Sequence, residues 1–131
     1  MVSKIRSVRI AERIRQELAN LMVRSANDPR LAGVTISDVT VDRELTFAEV
    51  FVSAVEGSIR SAEILAGLEH AQGFLRSELA QRIELRRFPR LRFHWDATFE
   101  KAERIDRLIT QLHQDEQRNL SGTGEKKDAG S

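Results

Sequence analysis

Any chemistry in this chain has to be carried mainly by arginine. Arg82, Arg86, Arg87, Arg90 and Arg92 crowd into one stretch, and Arg76 lies just upstream. A guanidinium makes forked contacts to phosphate and stacks on planar groups, which a lysine does less well. Phe88, Phe93 and Trp95 are interleaved with these arginines, and cationic side chains mixed with rings are the makings of a nucleic-acid-binding surface. The competing reading makes the rings core and the arginines a solvated face. Alternation with its neighbours favours the core for Phe93 and leaves Trp95 open. In Asp28-Pro29-Arg30-Leu31 a rigid loop explains Asp28 and Pro29, and Arg30 could add a further phosphate contact.

A second candidate is Ala71-Gln72-Gly73. A small-residue break in a helix can expose backbone N–H groups that bind phosphate. It can equally be a packing requirement where helices touch, and the two readings stay open. Catalysis has little to stand on. His70, His94 and His113 are well separated, and only His94 has a carboxylate close in sequence, Asp96, on the same face of a strand. Glu100, Glu103 and Asp106 sit in the first turns of a helix, where they offset its dipole. No nucleophile elbow, paired histidines or glycine-rich phosphate loop is present. With no cysteine, thiolate nucleophiles, disulfides and Cys-ligated metals are excluded. No cofactor or metal site is expected.

The formal net charge of +1 hides segregation. Residues 1–30 carry seven basic and three acidic groups, a net +4; 31–75 carry two and seven, −5; 76–92 carry six and two, +4. Two basic blocks flanking an acidic one suggest a cationic face and a nucleic-acid partner. Seventeen of the 21 basic residues are arginine, which suits that partner.

The elements that must position these residues follow from periodicity. The chain of 131 residues is long enough for one domain. Ile10, Ile14, Leu18, Leu21 and Met22 recur at helical spacing and predict a helix over 8–24, with Ser7 as its cap and Asn27, Asp28 and Pro29 as its stop. Residues 34–42 and 47–55 alternate as strands. A phase shift near Asp38 calls for a bulge, and 42–46 form a hairpin connection without glycine. From Ile59 the pattern turns helical, interrupted at Gly73, where two helices meeting at a kink and one long helix are both accommodated. Leu91, Phe93 and Trp95 alternate as a third strand, which Pro89 precedes. Ile105, Leu108, Ile109 and Leu112 stripe a last helix over about 99–116, expected to dock on the small sheet. Beyond Gln117 nothing asks for burial and disorder is expected. The fold class is α+β, a three-stranded sheet with helices on one face. The domain is expected over 1–116 and the tail over 117–131. No apolar run could span a membrane and no secretory signal is visible, so a cytosolic protein is expected.

Arg9 to Ile14, then Asp28-Pro29-Arg30, Val34-Thr35-Ile36, Asp38-Val39, Leu45, Ala48 to Ser53, Ala71 to Leu79, and finally Pro89, Leu91, Phe93 and Asp96 follow in an order and spacing that is specific as a set. Over about 4–113 the chain resembles bacterial ribosome-binding factor A. The resemblance implies a type-two KH domain whose GxxG loop is replaced by an Ala-x-Gly interhelical kink, here Ala71-Gln72-Gly73. It implies no enzyme. It implies a cytoplasmic monomer that binds the free small ribosomal subunit and its RNA late in assembly, supports precursor RNA processing and cold adaptation, and leaves with the help of a GTPase or an initiation factor. Only through what the resemblance implies do Arg9, Arg13 and Arg43 enter, as second candidates for phosphate contact. Glu49 and Phe51 stand where the family more often has Lys and Tyr, which lowers the positive charge on the exposed face of the second strand. The alternative function is a protein-binding module acting through its apolar C-terminal helix. Salt separates the two, because phosphate contacts weaken steeply as salt rises and an apolar interface does not.

Overall fold

Strand alternation sets the layering. The computed structural model describes residues 1–24 and 28–128, with side chains through residue 120. α1 spans Lys4–Arg24, β1 Val34–Val41, β2 Phe47–Ala54, α2 Ser61–Arg82, β3 Arg90–Trp95 and α3 Thr98–Asp128, with single 3-10 turns at Pro29–Leu31 and Ser58–Arg60. The sheet order is β1-β2-β3. β1 and β2 form an antiparallel hairpin, whereas β3 returns parallel to β2 after the α2 crossover. Ile36, Val39, Ala48, Val50, Val52 and Leu91 point to one side and are buried with Ile14, Leu18, Ile64, Leu68, Leu75 and Leu79 of α1 and α2. The other side of the sheet carries Phe47, Glu49, Phe51, Arg92 and His94.

The bulge expected near Asp38 is present: the β1–β2 register shifts between Ile36 and Asp38. The extra residue, Ser37, lets Ile36 and Val39 face the same core although three positions separate them. Its Oγ lies 2.6 Å from Asp96 Oδ2 and 3.1 Å from the Phe51 carbonyl. The glycine-free hairpin works because Asp42 Oδ1 accepts from the Thr46 and Phe47 N–H groups at 2.9 and 2.8 Å, while Leu45 takes a positive φ of 57°.

Several expectations are corrected. α1 begins at Lys4, not residue 8, and its cap is Ser3, whose Oγ accepts from the Arg6 N–H at 3.1 Å. Ser7 is buried inside the helix and donates to the Lys4 carbonyl at 2.8 Å. The helix ends before the loop as expected, with Asn27 outside the described residues. α2 is one unbroken helix through Gly73. A single glycine costs about 1 kcal/mol, less than the burial of Ile64, Leu68, Leu75 and Leu79 on one face, each worth roughly 1.5–3 kcal/mol.

Among the described residues, Met1–Ala97 form one compact unit, and α3, which begins at Thr98, belongs to a second. α3 continues to Asp128 through most of the segment expected to be disordered; residues 129–131 lie outside the described residues. Its stripe Ile105, Leu108, Ile109 and Leu112 is 46–62% exposed. Among the described residues no helix is long and apolar enough to cross a membrane.

Candidate nucleic-acid interface

The ten candidate arginines divide by what their guanidinium groups already hold. Arg76 donates to the Phe88 carbonyl at 2.7 Å and the Pro89 carbonyl at 3.2 Å. One turn earlier on α2, Gln72 Nε2 donates to the Leu91 carbonyl. Together they pin the start of β3 to α2, so Gln72 acts as a tether. Replacing Arg76 by Leu would leave two carbonyls without a donor. The expected cost is about 1–3 kcal/mol, read as a fall in melting temperature. An unchanged melting point would return Arg76 to the pool of free cations.

Arg82 bridges Glu78 at 3.0 Å and Glu17 at 3.7 Å, and Arg13 reaches Glu17 at 3.4 Å and the Arg82 carbonyl at 3.3 Å. Arg30 is clamped by Asp28 at 2.8 Å. The same Asp28 accepts from the Arg30 backbone N–H at 2.9 Å, and these bonds hold its carboxyl below the ordinary range. Arg43 Nε donates to the Val2 carbonyl at 3.0 Å. Arg92 is bound to Glu49. Arg9, Arg86, Arg87 and Arg90 are exposed and, among the described residues, have no side-chain partner. Three of these four sit on the loop that leads from α2 into β3 and on the first residue of that strand. The strongest cluster read from the sequence is thus half structural, and its free charge is concentrated over 86–90.

The rings interleaved with it are not a stacking platform. Phe88 is 8% exposed, and Phe93 and Trp95 pack against the core. In Ala71-Gln72-Gly73 the backbone N–H groups stay inside a continuous helix, so the opening that the phosphate alternative needs is not formed. The packing alternative fails too: a Cβ built on Gly73 meets nothing within 4 Å. Gly73→Ala should therefore stabilise the protein by about 0.5–1 kcal/mol, checked by urea unfolding; destabilisation would refute the open environment assigned to it. The glycine that packing requires is Gly67, where a Cβ would stand 3.0 Å from Leu31 Cδ2 and 3.2 Å from Arg30 Cβ. No sequence signal separates Gly67 from Gly73.

Two further features escape the sequence. Arg60 staples the loops, donating to the Ala32 and Arg30 carbonyls at 2.8 and 3.1 Å while bridging Glu56 and Glu63. His94 pairs with Glu49, Nε2 to Oε2 at 2.7 Å. That contact needs the β2–β3 register, in which Glu49 faces Arg92 and Phe51 faces His94. Among the described residues no group of His, Asp and Glu could hold a metal.

An α+β module with a tethered parallel strand and free arginines leading into it is a KH-like binding domain. The profile of the ribosome-binding factor A family matches residues 6–109, and the chain belongs to that family, whose members are not enzymes. It is 40% identical to ribosome-binding factor A of Aromatoleum aromaticum over 85% of this chain and 87% of that one. It is 42% identical to the Chromohalobacter salexigens protein over 85% and 86%. The crystal structure of ribosome-binding factor A from Thermus thermophilus superposes with a TM-score of 0.61 at 27% identity, covering 68% of this chain and 93% of that one. A homology model of the Thermus thermophilus factor, fitted into a cryo-EM map of its complex with the 30S subunit, superposes at 0.58 and 29% identity, over 70% and 97%.

Proposed function

We propose that the protein is a non-catalytic assembly factor that binds the free small ribosomal subunit in the cytoplasm. It meets the subunit's RNA through the arginines that have no internal partner, Arg86, Arg87 and Arg90, with Arg9 as a further contact. The observation that carries this reading is family membership over 6–109 combined with the likeness to a factor fitted on the 30S subunit. Arg76, Arg82, Arg92, Arg13, Arg30 and Arg43 then shape the interface rather than supply its free charge. Occupying the RNA late in assembly would support maturation and precursor processing by holding one conformation of the site. Release by an assembly GTPase or an initiation factor, and action as a monomer, are supported by the family resemblance.

The test is sedimentation of the tagged protein with ribosomal particles over a salt series. Co-migration with free small subunits, lost as salt rises, is the expected result. The second reading, a protein-binding module acting through α3, is favoured by the exposed stripe Ile105, Leu108, Ile109 and Leu112. It expects binding that persists in high salt.

A further inference from the structure

The side of the sheet away from the core holds two ring stacks side by side. Arg92 Cζ lies 3.8 Å above the centroid of the Phe47 ring. The His94 imidazole stacks on Phe51, with centroids 5.1 Å apart and planes inclined by 29°. Glu49, on β2 between the two phenylalanines, ties the stacks together. Its Oε1 accepts from Arg92 Nε at 2.7 Å and from Arg92 Nη2; its Oε2 accepts from His94 Nε2 at 2.7 Å and from Arg92 Nε at 3.1 Å. The single Arg92 Nε–H is shared between the two oxygens, so three N–H groups from Arg92 and His94 engage the carboxylate. Burial pushes the Glu49 carboxyl up, but the bonds from Arg92 and His94 outweigh it and hold the group ionised below its ordinary value. Arg92 and His94 keep 52% and 43% of their side-chain surface exposed. Their inner faces are taken by phenyl rings, and their outer surface is open.

Cross-strand pairing alone explains rings opposite one another. It does not call for a guanidinium and an imidazole held against those two rings by one shared carboxylate. Resting on the ribosomal-RNA reading above, we propose that this face is a stacking platform for unpaired bases of the RNA, with Glu49 as the residue that positions Arg92 and His94. Stacking accepts every base, since every base has a π-face. Charge complementarity favours RNA over an apolar partner: the outer planes are cationic or polar, and the exposed Arg90, paired in register with Phe47, is placed for the adjoining phosphate.

The test titrates the full chain with a single-stranded oligoadenylate and with an RNA duplex of the same length, following the ring signals of Phe47, Phe51 and His94 by NMR. The single strand should shift these signals and the duplex should not. His94→Ala and Phe51→Leu should each weaken single-strand binding about tenfold, the loss of one base stack, with the salt slope unchanged. Two variants guard against a fold defect in either, and unshifted core methyl signals check both. Equal single-strand affinity in folded variants would overturn the platform while leaving subunit binding intact. Ring signals moved by whole subunits but by no oligonucleotide would assign the face to a ribosomal protein, and overturn it too. If the wild-type chain did not bind subunits at all, the broader reading would fail first.

Discussion

Changing Arg86, Arg87 and Arg90 together to Gln should lower affinity for isolated small subunits about 100-fold near physiological salt. The figure follows from counterion release. Each neutralised phosphate contributes about 0.9 to the slope of log affinity against log salt, or roughly fivefold in affinity near 0.15 M. Three lost contacts should therefore also flatten that slope by about 3. These three guanidiniums are exposed and unpartnered among the described residues, so their removal leaves no internal carboxylate or carbonyl bereft. The melting temperature should stay within a degree or two. Arg15→Gln is the matched control, because that guanidinium is held by Glu12 at 3.0 Å and counts toward no proposed contact. An unaltered slope in the triple variant would remove the 86–90 segment from the interface.

The largest effect on stability should come from Leu68→Ala. Leu68 is 0% exposed in the middle of α2, next to the close approach of Gly67 to Leu31. Truncation there loses transfer energy and leaves a cavity, together about 2–5 kcal/mol. In a compact unit near a hundred residues each kcal/mol moves the melting temperature by about 4–8 °C, so a fall of roughly 8–40 °C is expected. The same truncation at Leu108 of α3, 56% exposed, should change stability by no more than about 0.5 kcal/mol. Calorimetry on the two variants separates the buried leucine of α2 from the exposed one of α3. Equal effects would mean that the α3 stripe is buried in solution against a partner or another surface.

Periodicity is enough to place every long helix and strand, because burial of one face imposes a period that side-chain identity records directly. Even the β1 bulge is legible, since Ile36 and Val39 cannot both be buried in a regular strand. Helix ends are less so. Ser3 and Ser7 are chemically the same cap, and only the backbone decides which oxygen meets a free N–H. The apparent helical break at Gly73 misleads for a similar reason. A glycine lowers local propensity wherever it stands, and whether the helix yields depends on how well the flanking leucines are buried.

The sequence by itself determined the α+β order, the core residues of the sheet and first helix, the want of cysteine chemistry, and the family resemblance carried by motifs in fixed order. Tertiary structure alone decided which arginines are free. Charge is a property of a residue type, but its availability depends on partners distant in the chain: Arg92 is engaged because parallel pairing sets it opposite Glu49, and Arg76 because β3 begins beside its helix. Arg86, Arg87 and Arg90 remain free because, among the described residues, no carboxylate or carbonyl is brought within their reach. Ion pairing acts over a few ångströms, and no pattern local to the sequence records distances between residues a dozen or more positions apart.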